Sequence, residues 1–191
     1  MKLITWNIQW GLGMDGRCDL ARVVADARRI ADFDVLCLQE VSDNFPELRG
    51  TRGANQFAKL ARLMPGYAAI EGVALDIPDG RGRRKRFGNM VLSRYPVGQV
   101  LRWTLPWEAD HTRNMPRGLI EAVVMAPFGP VRVMTTISNT RRTGCGAPRS
   151  RVSATRIAAP VPASRIPASR APAPTPSNRP RPAPSSPATS T

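Results

Sequence analysis

Two nearly continuous apolar stretches on either side of one amphipathic segment constrain this chain more than any other feature. Lys2-Leu-Ile-Thr-Trp-Asn-Ile-Gln-Trp-Gly11 is β-rich and broken by a single amide, Asn7, and Val35-Leu-Cys-Leu-Gln-Glu40 has the same character and stops on a carboxylate. Runs of this kind read as buried strands. Between them Leu20, Val23, Val24, Ala27 and Ile30 recur at helical spacing behind Asp19, a fitting N-cap, while Arg22, Asp26 and Arg29 fall on the opposite face. Two strands joined by a helix are expected to lie parallel, with their carboxyl ends pointing the same way. Asn7 and Glu40 would then meet at one edge of a sheet, where open α/β folds bind ligands. A carboxylate beside a neutral amide suits a hard cation, Mg²⁺ or Mn²⁺, that binds few protein oxygens and keeps several waters.

Further along, Ser42 to Gly53 is polar and turn-rich and reads as a loop beside that edge. Ala54 to Met64 has Phe57, Leu60, Ala61 and Met64 on one helical face and Pro65-Gly66 as its stop. Tyr67 to Ile77 and Phe87 to Arg94 read as paired strands around a hairpin loop, Pro78 to Arg86, that carries five basic residues. Val97 to Leu105, Leu119 to Ala126 and Val131 to Thr136 read as three more strands, the last two joined at Phe128-Gly129-Pro130.

Thr5-Trp-Asn-Ile8, Asp34-Val-Leu-Cys-Leu-Gln-Glu-Val41, Phe87-Gly-Asn-Met-Val-Leu-Ser-Arg-Tyr-Pro-Val97 and Arg117-Gly-Leu-Ile-Glu-Ala122 stand in this order along the chain. They resemble successive motifs of the endonuclease/exonuclease/phosphatase superfamily, over Met1 to about Thr136. The resemblance implies a deoxyribonuclease-like two-sheet α/β sandwich and a Mg²⁺-assisted hydrolase acting on phosphoesters, with nucleic acid among the candidate substrates. Glu40 would be the metal ligand, with Asn7 beside it holding a metal-bound water or a phosphate oxygen. Arg117 could reach substrate phosphate, or pair with a core acid such as Glu121. Asn89 would shape the hairpin and the rim of the cleft, and His111 would lie near the substrate or in a solvated loop. Read without the resemblance, Asn7 could simply satisfy strand-end backbone groups and Glu40 could be a surface acid.

The same resemblance asks for an Asp-x-Asn and a closing Asp-His pair to orient and activate water. The sequence has no Asp-x-Asn, and its one histidine, His111, precedes the Arg117 motif instead of closing the series. Composition changes where that series stops. Residues 137–191 hold nine Arg and eleven of the 19 Pro but no Asp, Glu, Lys, Phe, Tyr or Trp, so the tail carries +9 of the net +14. A segment without an apolar face is expected to be disordered, which makes residues 1–136 the N-terminal, truncated part of the family's domain. Ile137-Ser-Asn-Thr140 can be encoded as ATC TCG AAT AC plus any base, and one C restored in front reads His-Leu-Glu-Tyr, so a frame error is the expected origin of the tail, with a natural disordered Arg/Pro linker or partner-binding tail as the rival. The chain is then expected to lack most of its catalytic apparatus. The alternative is a non-catalytic nucleic-acid-binding protein that uses the Arg83 to Arg86 loop and an Arg/Pro tail. Cys18, Cys37 and Cys145 show no paired or zinc-binding spacing, no run approaches membrane-spanning length, and the amino terminus lacks a secretory core, so a reducing cytoplasm is the expected location.

Overall fold

The computed structural model describes residues 1–106 and 116–137, together with the backbone of Ser153–Ala158. In chain order the elements are β1 Leu3–Asn7, α1 Leu20–Ile30, β2 Val35–Asp43, α2 Gln56–Leu63, β3 Ala68–Pro78, β4 Arg84–Ser93, β5 Val97–Thr104, β6 Gly118–Ala126, β7 Gly129–Ile137 and β8 Ser153–Ala158. They form two four-stranded sheets, ordered β1-β2-β4-β3 and β5-β6-β7-β8. β1 and β2 are parallel and the other described pairs antiparallel. The fold is the two-sheet α/β sandwich expected above.

Strand parity assigns the core. Leu36, Leu38, Met90 and Leu92 point to one face of the first sheet and pack under Leu20, Val23, Val24 and Ala27 of α1 and Phe57 and Leu60 of α2. Their neighbours Val35, Cys37 and Val91 point to the other face and meet Ile120, Val124, Val131 and Val133 of the second sheet. Both faces of β2 are therefore buried, which is why its sequence shows no polar alternation. α1 starts at Asp19, whose carboxylate accepts from Arg22 N at 3.0 Å, and α2 at Asn55, whose side chain accepts from Ala58 N at 2.9 Å. The sheets pack tightly at Gly72, where a Cβ would fall 2.1 Å from Ile120 Cγ1.

Several boundaries differ from those read in the sequence. β1 ends at Asn7 instead of running to Gly11, because Gln9, Trp10 and Gly11 take φ of 45°, 48° and 76° and turn the chain away. β2 continues through Asp43, since Ser42 and Asp43 pair with Phe87 and Arg86 of β4. Strand pairing also extends from both sides into the basic hairpin, with Pro78 opposite Arg84, and shortens its loop to residues 79–83. Ser153–Ala158 adds β8 to β7 within the segment whose composition implied no regular structure. Of that segment Ile137 also is described, as the last residue of β7, and residues 138–152 and 159–191 lie outside the described ones. Among the described residues no helix is long and apolar enough to cross a membrane.

Candidate active site

The parallel register sets Asn7 beside Gln39, so the carboxyl ends of β1 and β2 do converge. The adjoining β2–β4 ladder then slips: Leu38 faces Met90 and Val41 faces Gly88, which leaves Gln39 and Glu40 together opposite Asn89. An extra residue of this kind is a β-bulge, a device that bends a strand and re-aims a side chain. Glu40 absorbs it with φ of 62°, a left-handed conformation that costs a non-glycine residue about 1 kcal/mol or more. Parity records the effect. Leu36, Leu38 and Val41 all belong to the helix-side core, although Val41 would face the second sheet on a regular strand. Glu40 is thus released from the alternation that governs its neighbours.

Glu40 is only 1 % exposed and its Oε2 is closed off from solvent, which excludes the surface-acid reading. A carboxylate so withdrawn from water needs donors or a cation beside it. Half-buried Asn7 accepts from Gln9 N at 3.0 Å through Oδ1, so this amide does serve its own strand end while standing next to Gln39. Gln39, fully buried, donates from Nε2 to Thr135 Oγ1 at 2.8 Å, Thr5 Oγ1 at 3.0 Å and Cys37 O at 3.3 Å. That amide joins β1, β2 and β7 immediately before Glu40. Asn89, opposite the bulge, donates from Nδ2 to Gly118 O at 3.0 Å, and Thr136 Oγ1 donates to the same carbonyl at 3.0 Å. Asn89, itself buried, therefore holds β4 against β6. Arg117 is half-buried directly ahead of β6, with its carbonyl accepting from Leu105 N at 2.9 Å. Glu121, the acid offered as its alternative partner, lies 2.9 Å from Arg132 Nε. His111 lies outside the described residues.

Gln39 and Thr135 were missed in the sequence. The usable signal was parity: Gln39 follows Val35 and Cys37 at every second position and so puts an amide on the face that meets the other sheet. Among the described residues no group of three or more His, Cys, Asp or Glu gathers. One buried carboxylate with neutral oxygen donors nearby does not make a thiolate–imidazole zinc site or a calcium cage. It does fit Mg²⁺ or Mn²⁺, which are held through one or two carboxylates, waters and substrate oxygens.

The basic hairpin is largely neutralised. Arg84 Nε meets Asp76 at 2.7 Å, Lys85 pairs with Glu47, and Arg86 bridges Asp43 at 2.7 Å and Glu71 at 2.8 Å. The loop itself closes around Asp79, which accepts from Asn44 Nδ2 at 2.9 Å, Arg81 N at 2.8 Å and Arg83 N at 3.0 Å. Those donors, the Asn44 amide foremost, hold the Asp79 carboxyl down at about 2. Of the four basic residues from Arg83 to Arg86 expected to face a polyanion, three are thus committed to protein carboxylates.

No curated protein matches the chain. A solved structure, an endonuclease/exonuclease/phosphatase family protein from Leptotrichia buccalis C-1013-b, is similar at 15 % identity with a TM-score of 0.43, covering 68 % of this chain. The chain spans about half the length, 52 %, of that protein. The model of the Endonuclease/Exonuclease/phosphatase family matches residues 4–187, nearly the whole chain and beyond Thr136, where the individual motifs stop. A match of that extent, on a two-sheet sandwich with its motif residues at converging strand ends, means that the chain belongs to the endonuclease/exonuclease/phosphatase family.

Proposed function

We propose that this chain is a metal-assisted phosphoesterase by descent, in which Glu40 and Asn7 bind the ion and the phosphate while turnover is strongly impaired. The observation that carries the reading is the left-handed bulge at Glu40, which sets a buried carboxylate beside the end of the parallel strand bearing Asn7. Strain at a single residue persists only where the surrounding structure over-determines it, and such residues cluster at functional sites.

A bound Mg²⁺ or Mn²⁺ would supply Lewis-acid polarisation of a phosphoryl oxygen and charge neutralisation at the ester. The residues themselves divide the remaining work. Glu40 contributes the anionic donor, the Asn7 amide orients an oxygen at the strand end, and the Arg117 guanidinium attracts the phosphate. Gln39 and Asn89 keep the two sheets in register around them. Impaired turnover follows from the sequence, which has no Asp-x-Asn and a single histidine to draw on for proton transfer.

The test is Mn²⁺ titration by calorimetry together with hydrolysis of a generic phosphodiester, comparing the parent with Glu40→Gln. The reading expects Mn²⁺ binding in the parent, its loss in the variant, and hydrolysis that is slow in the parent and absent in the variant. Equal Mn²⁺ affinity in both proteins would overturn it.

A further inference from the structure

Two loops leave the strands that carry the site residues, residues 8–19 after β1 and residues 44–55 after β2, and they are built as one body. Trp10 Nε1 donates to Arg49 O at 3.1 Å, while Trp10 O accepts from Gln56 Nε2 at 2.8 Å and Cys18 Sγ at 2.9 Å. A Cβ on Gly16 would fall 2.4 Å from Arg49 Nη2, so the guanidinium lies against the backbone just ahead of Arg17. Thr51 Oγ1 donates to Leu48 O at 3.0 Å and closes the second loop ahead of Arg52.

The charges on this rim do not balance. Asp15 takes Arg22, with Nη1 at 2.8 Å, Asp19 caps α1, Asp43 takes Arg86, and Glu47 takes Lys85. Arg17, Arg49 and Arg52 are exposed, and none has a side-chain hydrogen bond or ion pair among the described residues. Three exposed cations, none in an ion pair, are a surface for a chain of phosphates, because each phosphate bound there releases condensed counterions.

We propose that Arg17, Arg49 and Arg52 form a nucleic-acid backbone subsite that engages phosphates flanking the one at Glu40. The inference rests on the phosphoesterase reading and names its substrate class. It also moves the polyanion surface from the Arg83 to Arg86 hairpin, where Arg84, Lys85 and Arg86 are paired, to the rim, where Arg17, Arg49 and Arg52 are not. An anionic membrane fits less well. Surface binding to lipid adds apolar insertion to charge, and Met14 is the single large hydrophobic on these two loops counted as exposed.

The experiment measures full-length protein binding a fluorescent DNA oligonucleotide in EDTA across a salt series. Three phosphate contacts on a duplex give a slope of roughly −2.7 in log affinity against log salt, about a fortyfold loss between about 50 and 200 mM. The triple variant R17A/R49A/R52A is expected to bind with a slope shallower by about that amount, and R81A/R83A at the hairpin tip to bind as the parent does. Arg49→Glu alone, with an unchanged thermal transition, guards against loss through misfolding and is expected to weaken binding. An unchanged slope in the triple variant, or tighter binding to phosphatidylserine vesicles than to DNA, would overturn the proposal. Because no hydrolysis is needed, loss of Mn²⁺ binding in Glu40→Gln with an unchanged slope in the triple variant would sink this inference alone. The reverse pattern would sink the metal site alone.

Discussion

Replacing Glu40 by glycine should give a more stable protein than replacing it by alanine, the reverse of the usual order. At most positions alanine is the more stabilising by about 0.4–1 kcal/mol, because glycine gives the unfolded chain more freedom to lose. At Glu40 the backbone sits at φ of 62°, where a Cβ costs about 1–2 kcal/mol and glycine pays nothing. Both variants remove the carboxylate, so its desolvation, its partners and its metal cancel in the comparison. The difference should therefore favour glycine by roughly 1 kcal/mol, or about 2–4 °C in Tm for a chain of this size. Thermal unfolding followed by circular dichroism in EDTA reads it directly. If Glu40→Ala matches or exceeds Glu40→Gly, the bulge is not left-handed in solution, and the fold does not hold this acid under strain.

Gln39→Leu should lower stability by about 1–3 kcal/mol, since it removes the fully buried donor shared by β1, β2 and β7, and a urea midpoint unchanged from the parent would contradict that role. The hairpin loop should respond to acid through Asp79. Its folded value of about 2 lies below the ordinary carboxylate value, so its contribution is complete above about pH 4 and disappears as pH falls through the folded value. The amide resonances of Arg81 and Arg83 should accordingly titrate with a midpoint near 2. A midpoint near 4 would mean that the Asp79 hydrogen bonds are not formed.

Short-range pattern carried much of this protein in plain view. The apolar spacing of α1, the N-cap Asp19, the doubly buried β2 and the parallel β1–β2 pair are consequences of neighbours within a few residues, or of the one chirality rule for strands joined by a helix. Hence, whereas the two-sheet sandwich was implied by the resemblance of the motifs, the parallel pairing of β1 with β2, which sets Asn7 beside Gln39, was legible in the amino-acid order alone. The limits of β1 and β2 were not, because they depend on left-handed turns at Gln9 and Trp10 and on a partner strand some fifty residues away.

What only the tertiary structure decided was the state of each polar group. The Gln39–Thr135 bond spans 96 residues and the Arg86–Asp43 pair 43, and neither has a local signal. Whether a row of arginines confronts solvent or is cancelled by carboxylates is likewise a matter of register. The linear order put five cations on the hairpin, while the β3–β4 and β2–β4 ladders brought Asp76, Glu71 and Asp43 to meet them. The bulge at Glu40 has the same origin, since one strand can carry an extra residue only relative to another. Periodicity thus determined which faces are buried, and cross-strand pairing decided which charges remain available for chemistry.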